Sequence, residues 1–111
     1  MPEQSISSDL KKEIALIVQR FNQEIQNEQP VQYLTRYRGK HLYLDRIDFG
    51  RPEKQSICRL TYTGEIDSWD FAIYKYSSER YDPEDWLIPG MEEVDGSIEG
   101  AMRAGLEAYP P

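Results

Sequence analysis

The sequence predicts an α+β fold: a four-stranded antiparallel meander with a long N-terminal helix and a short C-terminal helix packed on one face. Three observations lead to this fold class. Apolar residues first recur at helical spacing, and their period then changes to two. Every connection between the predicted strands is also too short for a parallel crossover. The 111 residues fit a single domain, 1–111.

The first helix is predicted at about 8–28. Ser7 or Ser8 is a suitable N-cap, and Pro30 ends the helix because the residue before a proline is disfavoured in α geometry. Residues 1–7 are predicted to form a flexible tail. One helix face carries an apolar stripe at spacings of three and four, made of Leu10, Ile14, Ile17, Phe21 and Ile25.

Four extended segments follow, at about 31–38, 41–46, 56–63 and 68–76. Gly39 and Lys40 supply a tight turn between the first two, which predicts a hairpin. Residues 77–95 are expected to be irregular. Within them, Asp82 and Pro83 resemble a helix start that would bring Trp86 and Leu87 onto the fold.

The last helix is predicted at about 96–108, with Asp95 as its cap. Its sequence is mostly small, and each interior glycine costs about 1 kcal/mol relative to alanine. Close backbone approach to the sheet or to the first helix is the expected compensation. The small residues are Gly96, Gly100, Ala101, Ala104, Gly105 and Ala108.

The order of these elements resembles that of an uncharacterised family of small bacterial helix–sheet–helix domains of unknown function. The resembling features are Trp69 in the fourth strand, the Tyr81, Asp82 and Pro83 loop, and the short final helix at 100–109. The resemblance implies the same fold. It implies no activity, since that family has none agreed.

Composition limits the function classes. The net charge is -7, and the acidic residues are concentrated in 64–111, which argues against general affinity for DNA or RNA. Cys58 is the only cysteine, which favours a reducing compartment. The N-terminal residues lack the apolar core of a signal peptide, and no apolar run is long enough to span a membrane. A cytoplasmic location is therefore expected.

No catalytic, metal or cofactor motif is recognisable in the sequence. One histidine and one cysteine cannot form a zinc site of the usual kind, so no metal and no cofactor is expected. Cys58 alternates in phase with Leu60 and Tyr62, which predicts a buried, inert thiol. His41 is expected to be exposed. A small enzyme that uses a carboxylate pair with His41 remains an alternative.

The sheet offers the most informative group of side chains. In one phase, Leu34, Leu42, Leu44, Cys58 and Leu60 form a core face. In the other phase, Tyr33, Tyr37, Tyr43, Arg59 and Thr61 form a mixed face, with Arg36, Arg38, Lys40 and Arg46 nearby. Register is not readable from the sequence, so this grouping is provisional. Strand 4 has large apolar groups in both phases, which predicts that the 77–95 loop folds over one end of the second face.

These patterns favour a non-catalytic cytoplasmic interaction or accessory module. Tyrosine and arginine are common at interaction hot spots, so a protein partner or a homodimer is expected. A specific version of the homodimer is a head-to-tail contact between the basic hairpin and the acidic 79–95 segment. Weak single-stranded nucleic-acid binding is the alternative use of the same face. The predicted binding residues are Tyr33, Arg36, Arg38, Tyr43 and Arg59.

Overall fold

The computed structural model describes residues 6–28, 30–85 and 87–111, and it confirms the α+β class. In sequence, the antiparallel strands follow an N-terminal helix and precede a C-terminal helix. In these ranges the elements are α1 (Ser8–Ile25), β1 (Val31–Arg38), β2 (His41–Asp48), β3 (Gln55–Thr61), β4 (Asp70–Lys75), β5 (Arg80–Asp82), a 3₁₀ turn (Met91–Glu93) and α2 (Ile98–Ala108).

The described sheet has five strands rather than the four predicted. Its order is β1-β2-β3-β4-β5, and each strand is antiparallel to its neighbour. The additional strand, β5, follows a turn in which Glu79 adopts a φ of 53°, and its Tyr81 pairs with Tyr74 of β4. Three residues are too few to show a period, which explains why the sequence pattern missed β5.

The start of the chain is more ordered than predicted. Ser7 is the N-cap of α1, and its Oγ accepts a hydrogen bond from the Leu10 N–H at 3.1 Å. Ile6 is buried, and its N–H donates to the Gly39 carbonyl at 3.0 Å. The predicted tail is therefore wrong for Ile6 and Ser7, while 1–5 lie outside the described residues. The helix ends at Ile25, before the predicted boundary.

The boundaries near the C-terminus also differ from prediction. Ser97, not Asp95, is the N-cap of α2, and its Oγ accepts from the Gly100 N–H at 3.0 Å. Asp95 instead accepts hydrogen bonds from the hydroxyl and backbone N–H of Ser97, which lower the pKa of its carboxyl group. The predicted helix start after Asp82 is a turn, and Leu87 is 95% exposed. Trp86 lies outside the described residues.

The core lies between the sheet and the two helices, which cover the same face. Its largest fully buried apolar side chains come from α1, from the strands β1, β2 and β3, and from α2. They include Ile14, Tyr33, Leu42, Leu44, Ile57, Leu60, Ile98 and Met102. Neither α1 nor α2, the helices of the described ranges, has the length and apolar character required to cross a membrane.

The small residues of α2 allow close approach to the sheet, as predicted. A Cβ added to Gly105 would lie 2.5 Å from the Tyr33 hydroxyl oxygen and 2.6 Å from Ile57 Cγ2. The same tyrosine donates its O–H to the Met102 carbonyl at 2.7 Å. Glycine at this position therefore sets the distance between α2 and the sheet.

A buried arginine fixes the end of α2 to β2. Arg46 is fully buried, and its guanidinium donates to Asp48 at 2.6 and 3.2 Å. It also donates to the Gly105 carbonyl at 3.2 Å and to the Tyr109 carbonyl, both in the last turn of the helix. Burial alone would lower the pKa of Arg46, but the hydrogen bonds with Asp48 raise it, so the group stays charged.

We expect Gly105→Ala to lower the free energy of unfolding by about 1–3 kcal/mol, because the added methyl overpacks the contact with Tyr33 and Ile57. The sign is informative, since alanine is otherwise about 1 kcal/mol better than glycine in a helix. Urea denaturation followed by circular dichroism measures the change. Leu16→Ala, at an exposed position of α1, is the control. A stabilised Gly105→Ala protein would contradict the close packing.

Arg46→Met should cost about 3–5 kcal/mol of stability, because it leaves the Asp48 carboxylate buried without its cation. Adding Asp48→Leu to the same protein should recover part of the loss, since no charge is then left unpaired. Thermal and urea unfolding of both variants test this, with Arg20→Met on the exposed side of α1 as the control. A double variant less stable than the single one would disprove the coupling.

Candidate functional site

One face of the sheet has no helix on it in the described part of the chain, and the register of the first hairpin decides which one. Arg38 pairs with His41 across the Gly39–Lys40 turn, so odd-numbered residues of β1 share a face with even-numbered residues of β2. Tyr33 and Tyr37 consequently lie with Leu42 on the helix side. The predicted grouping of these two tyrosines with Tyr43 is wrong by one residue in β1.

The described residues of the segment after β5, 83–85 and 87–97, are not placed over this open face by any contact that the structure shows. Glu93 forms an ion pair with Arg103 of α2 at 3.2 Å, and Gly90 packs so closely on α2 that an added Cβ would lie 2.8 Å from the Ala104 carbonyl oxygen. The segment therefore packs against the helix layer. The predicted cover over the second face is limited to Tyr81 of β5.

An Arg/Tyr cluster occupies the middle of the open face. We define it as Arg36, Tyr43, Arg59, Tyr74 and Tyr81. The guanidinium of Arg36 lies 4.6 Å from the Tyr43 ring centroid, and that of Arg59 lies 5.6 Å from the centroid of Tyr81. Tyr81 meets Tyr43 and Tyr74 edge-to-face, at centroid distances of 5.2 and 4.9 Å. Alternating cations and rings are typical of a preorganised contact surface.

A buried carboxylate, that of Asp45, orients the Arg/Tyr cluster through its contact with Arg36. Asp45 is 1% exposed and accepts two hydrogen bonds from Arg36, at 2.7 and 3.3 Å. The hydrogen bond with Asp45 raises the pKa of Arg36. Arg36 also donates to the Tyr81 hydroxyl at 3.2 Å, and burial raises the pKa of that phenol. The carboxylate thus neutralises Arg36 and fixes the position of the aromatic rings.

Two other arginines of this face, Arg38 and Arg59, are not neutralised by a carboxylate in the described ranges. Arg38 is exposed at the turn end of β1, and Arg59 is partly buried in β3. Among the described residues, neither forms an ion pair with a carboxylate, and the Nε of Arg59 is buried without a hydrogen-bond partner. An unpaired, partly desolvated guanidinium gains most from a carboxylate supplied by a partner.

The five predicted binding residues separate into two groups. Arg36, Arg38, Tyr43 and Arg59 lie on the open face, and three of them belong to the Arg/Tyr cluster. Tyr33 is 1% exposed beneath α2 and is not accessible. Arg46, predicted to lie near this face, is instead buried on the helix side.

Sequence reasoning missed three residues of the site: Tyr74, Tyr81 and Asp45. Tyr81 was assigned to a loop because β5 is short, although Tyr74 and Tyr81 flank a turn-like serine pair that could have suggested a hairpin. Asp45 was not assigned a role. No sequence signal singles it out, since β2 also carries His41, Arg46 and Asp48, and its contact with Arg36 depends on the strand register.

In the described ranges, the other residues considered for chemistry are not brought together into one site. Cys58 is fully buried on the helix side, as predicted. His41 is half-buried on the open face, with Nδ1 2.9 Å from the Thr61 hydroxyl. The acidic residues of 79–95 include two that pair with bases, Asp85 with Lys75 and Glu93 with Arg103. No group of acidic, histidine and cysteine side chains in the described ranges could hold a metal ion.

We expect the Cys58 thiol to react with a chromogenic aromatic disulfide only when the protein unfolds, because burial raises its pKa far above the usual value. Raising the pH through the ordinary thiol pKa, about 8.5, should not start the reaction in the native protein. The same protein in denaturant is the control. Rapid labelling of native protein at mildly alkaline pH would show that the thiol is accessible.

Comparison of the chain with protein-family models, with curated proteins and with solved structures found no match. The resemblance to a family of small bacterial domains therefore stays a prediction. The function has to be judged from the open face and its Arg/Tyr cluster.

Proposed function

We propose that this chain is a non-catalytic protein-interaction module whose open sheet face binds an acidic segment of a partner. One observation carries the proposal: in the described ranges, both helices and Gly90 to Glu93 pack on the same side of the sheet, and the Arg/Tyr cluster lies on the other. A cytoplasmic setting is part of the proposal, and the single, buried cysteine is compatible with it.

The charges of the face favour an acidic partner. Asp45 neutralises Arg36, while Arg38 and Arg59 have no carboxylate partner in the described ranges. Carboxylates of the partner would pair with these two guanidinium groups, which form a local positive region on an otherwise acidic chain. Tyr43 and Tyr81 supply the amphipathic area next to these charges, as tyrosines do at interaction hot spots.

Single-stranded nucleic acid is less well supported by the same geometry. Base stacking requires free ring faces. The rings of Tyr43 and Tyr81 already carry the guanidinium groups of Arg36 and Arg59, and Tyr81 is further enclosed by Tyr74.

The test uses fluorescence polarisation with a labelled oligoglutamate peptide and, separately, a labelled oligothymidylate. We expect the peptide to bind, and its affinity to fall as salt rises. Arg38→Glu should weaken peptide binding at least about tenfold, because it reverses an exposed charge of the face. Arg59→Gln should act in the same direction.

The matched control is Arg20→Glu, an equal charge change at an exposed position of α1. It should leave peptide binding nearly unchanged. Equal weakening by Arg38→Glu and Arg20→Glu would show that binding reflects net charge alone and would refute the assignment to this face. Absence of peptide binding, or tighter binding of the oligothymidylate, would also reject the proposal.

A further inference from the structure

The strand β1 forms one edge of the described sheet. It runs over eight residues, Val31–Arg38, without a proline and without a bulge in its pairing with β2. The opposite edge, β5, has only three residues. Proteins commonly protect long edge strands with bulges, prolines or a covering element, because an open edge presents backbone groups that pair with another chain. The regular edge of β1 has the form that accepts an added strand.

The register of the hairpin determines which backbone groups of β1 face outward. In a two-residue hairpin the closing pair, here Arg38 and His41, exchanges both hydrogen bonds, and every second pair along the strands does the same. The Phe49 N–H, which donates to the Pro30 carbonyl at 2.8 Å, continues this pattern beyond the strands. The even-numbered residues of β1 therefore bond to β2, and the N–H and C=O groups of the odd-numbered residues point away from it.

A side-chain amide already occupies one of these outward positions. Asn22 of α1 accepts a hydrogen bond from the Tyr33 N–H at 2.8 Å and donates to the Tyr33 carbonyl at 3.0 Å. These are the two bonds that a residue of an adjacent antiparallel strand would make. The backbone groups of the next outward residues, Thr35 and Tyr37, receive no such bonds from the described part of the chain. They are thus available to an added strand.

A hollow beside this edge has room for side chains of the added strand. It is about 350 Å³ in volume, lies between α1 and β1, and reaches along the strand to Thr35. Its walls include Ala15, Val18 and Gln19, and none of its lining residues is charged. Small, uncharged side chains fit such a lining.

We propose that an extended acidic segment of a partner adds to β1 as a further antiparallel strand. This inference rests on the proposed function and specifies how the acidic segment is held. Residues opposite Thr35 and Tyr37 hydrogen-bond to β1 and direct their side chains to the helix side. Residues opposite Arg36 and Arg38 direct theirs to the open face, where carboxylates meet the two guanidinium groups. The recognised pattern is a carboxylate at every second residue.

Charge distinguishes this occupant from a second copy of the chain. β1 carries Arg36 and Arg38 and no acidic residue. When two β1 strands pair antiparallel through Thr35 and Tyr37 of both copies, Arg36 lies opposite its own counterpart, and like charges directly opposite each other are destabilising. A strand with alternating glutamates places the opposite charge there. Arg59 lies in β3, two strands from β1, and pairs with a part of the partner outside the added strand.

Fluorescence polarisation with a labelled peptide of alternating glutamate and threonine tests the proposal. Methylating the backbone nitrogens of the threonines removes the donors that face β1 and places methyl groups against the strand. Binding should therefore weaken at least about tenfold. The matched control is the same peptide methylated at the glutamate nitrogens, which face away from β1. Its affinity should be nearly that of the unmethylated peptide.

A protein variant tests the same edge from the other side. Thr35→Pro removes an outward N–H without removing a hydrogen bond to β2, and proline is tolerated on edge strands at such positions. It should weaken binding of the unmethylated peptide at least about fivefold. Thr35→Val, which keeps the N–H, is its control and should bind normally. Circular dichroism confirms that both variants are folded.

The outcomes separate this proposal from the proposed function. Equal binding of the two methylated peptides would overturn strand addition and leave the proposed function in place, because the face would still bind an acidic segment. A folded Thr35→Pro protein with wild-type affinity would have the same meaning. A greater loss from methylation at the glutamates would overturn the antiparallel arrangement. Failure of the unmethylated peptide to bind would reject both proposals.

Discussion

The ion pair between Arg46 and Asp48 is the interaction on which the arrangement of layers depends. A buried guanidinium requires every donor to be matched, and here Asp48 matches part of it while carbonyl groups at the end of α2 match the rest. Cations are favoured at helix C-termini, so the same contact complements the helix dipole. It fixes α2 against β2 and, with Gly105 against Tyr33, determines which face of the sheet is covered.

One face of the sheet stays open in the described ranges because both helices pack on the other face. Once α1 and α2 occupy one side, Arg36 and Asp45 must organise the other without a covering element. Asp45 is as deeply buried as a core residue, yet its partner Arg36 is half in solvent. The carboxylate thus gives the face a rigid centre, while Arg38 and Arg59 keep unpaired charge at its surface. Phe49 lies away from both, at the opposite end of the hairpin.

The sequence predicted the helices, the hairpin and the packing of small residues, because these depend on local periodicity and on turn chemistry. The prediction failed where the pairing of strands determines which face of the sheet a side chain lies on. The two-residue turn at Gly39 and Lys40 couples odd positions of β1 to even positions of β2, and applying that parity would have placed Tyr33 in the core. Arg46 and Asp48 are in phase with Leu42 and Leu44, so the period indicated burial while their charge suggested exposure. Of the site, Arg36, Arg38, Tyr43 and Arg59 were predicted, whereas Tyr81 was missed because β5 has only three residues.

The hydrogen bonds of Arg46 have a consequence for the order in which the molecule can form. The guanidinium is separated by 59 residues from the Gly105 carbonyl and by 63 from that of Tyr109. During synthesis, the five strands of the described ranges are all made before these acceptors. Until then the sheet exposes Tyr33 and Ile57, and the charge of Arg46 has only Asp48 beside it. The last turn of α2 therefore completes the fold, and contacts of such sequence separation are the slow ones to form.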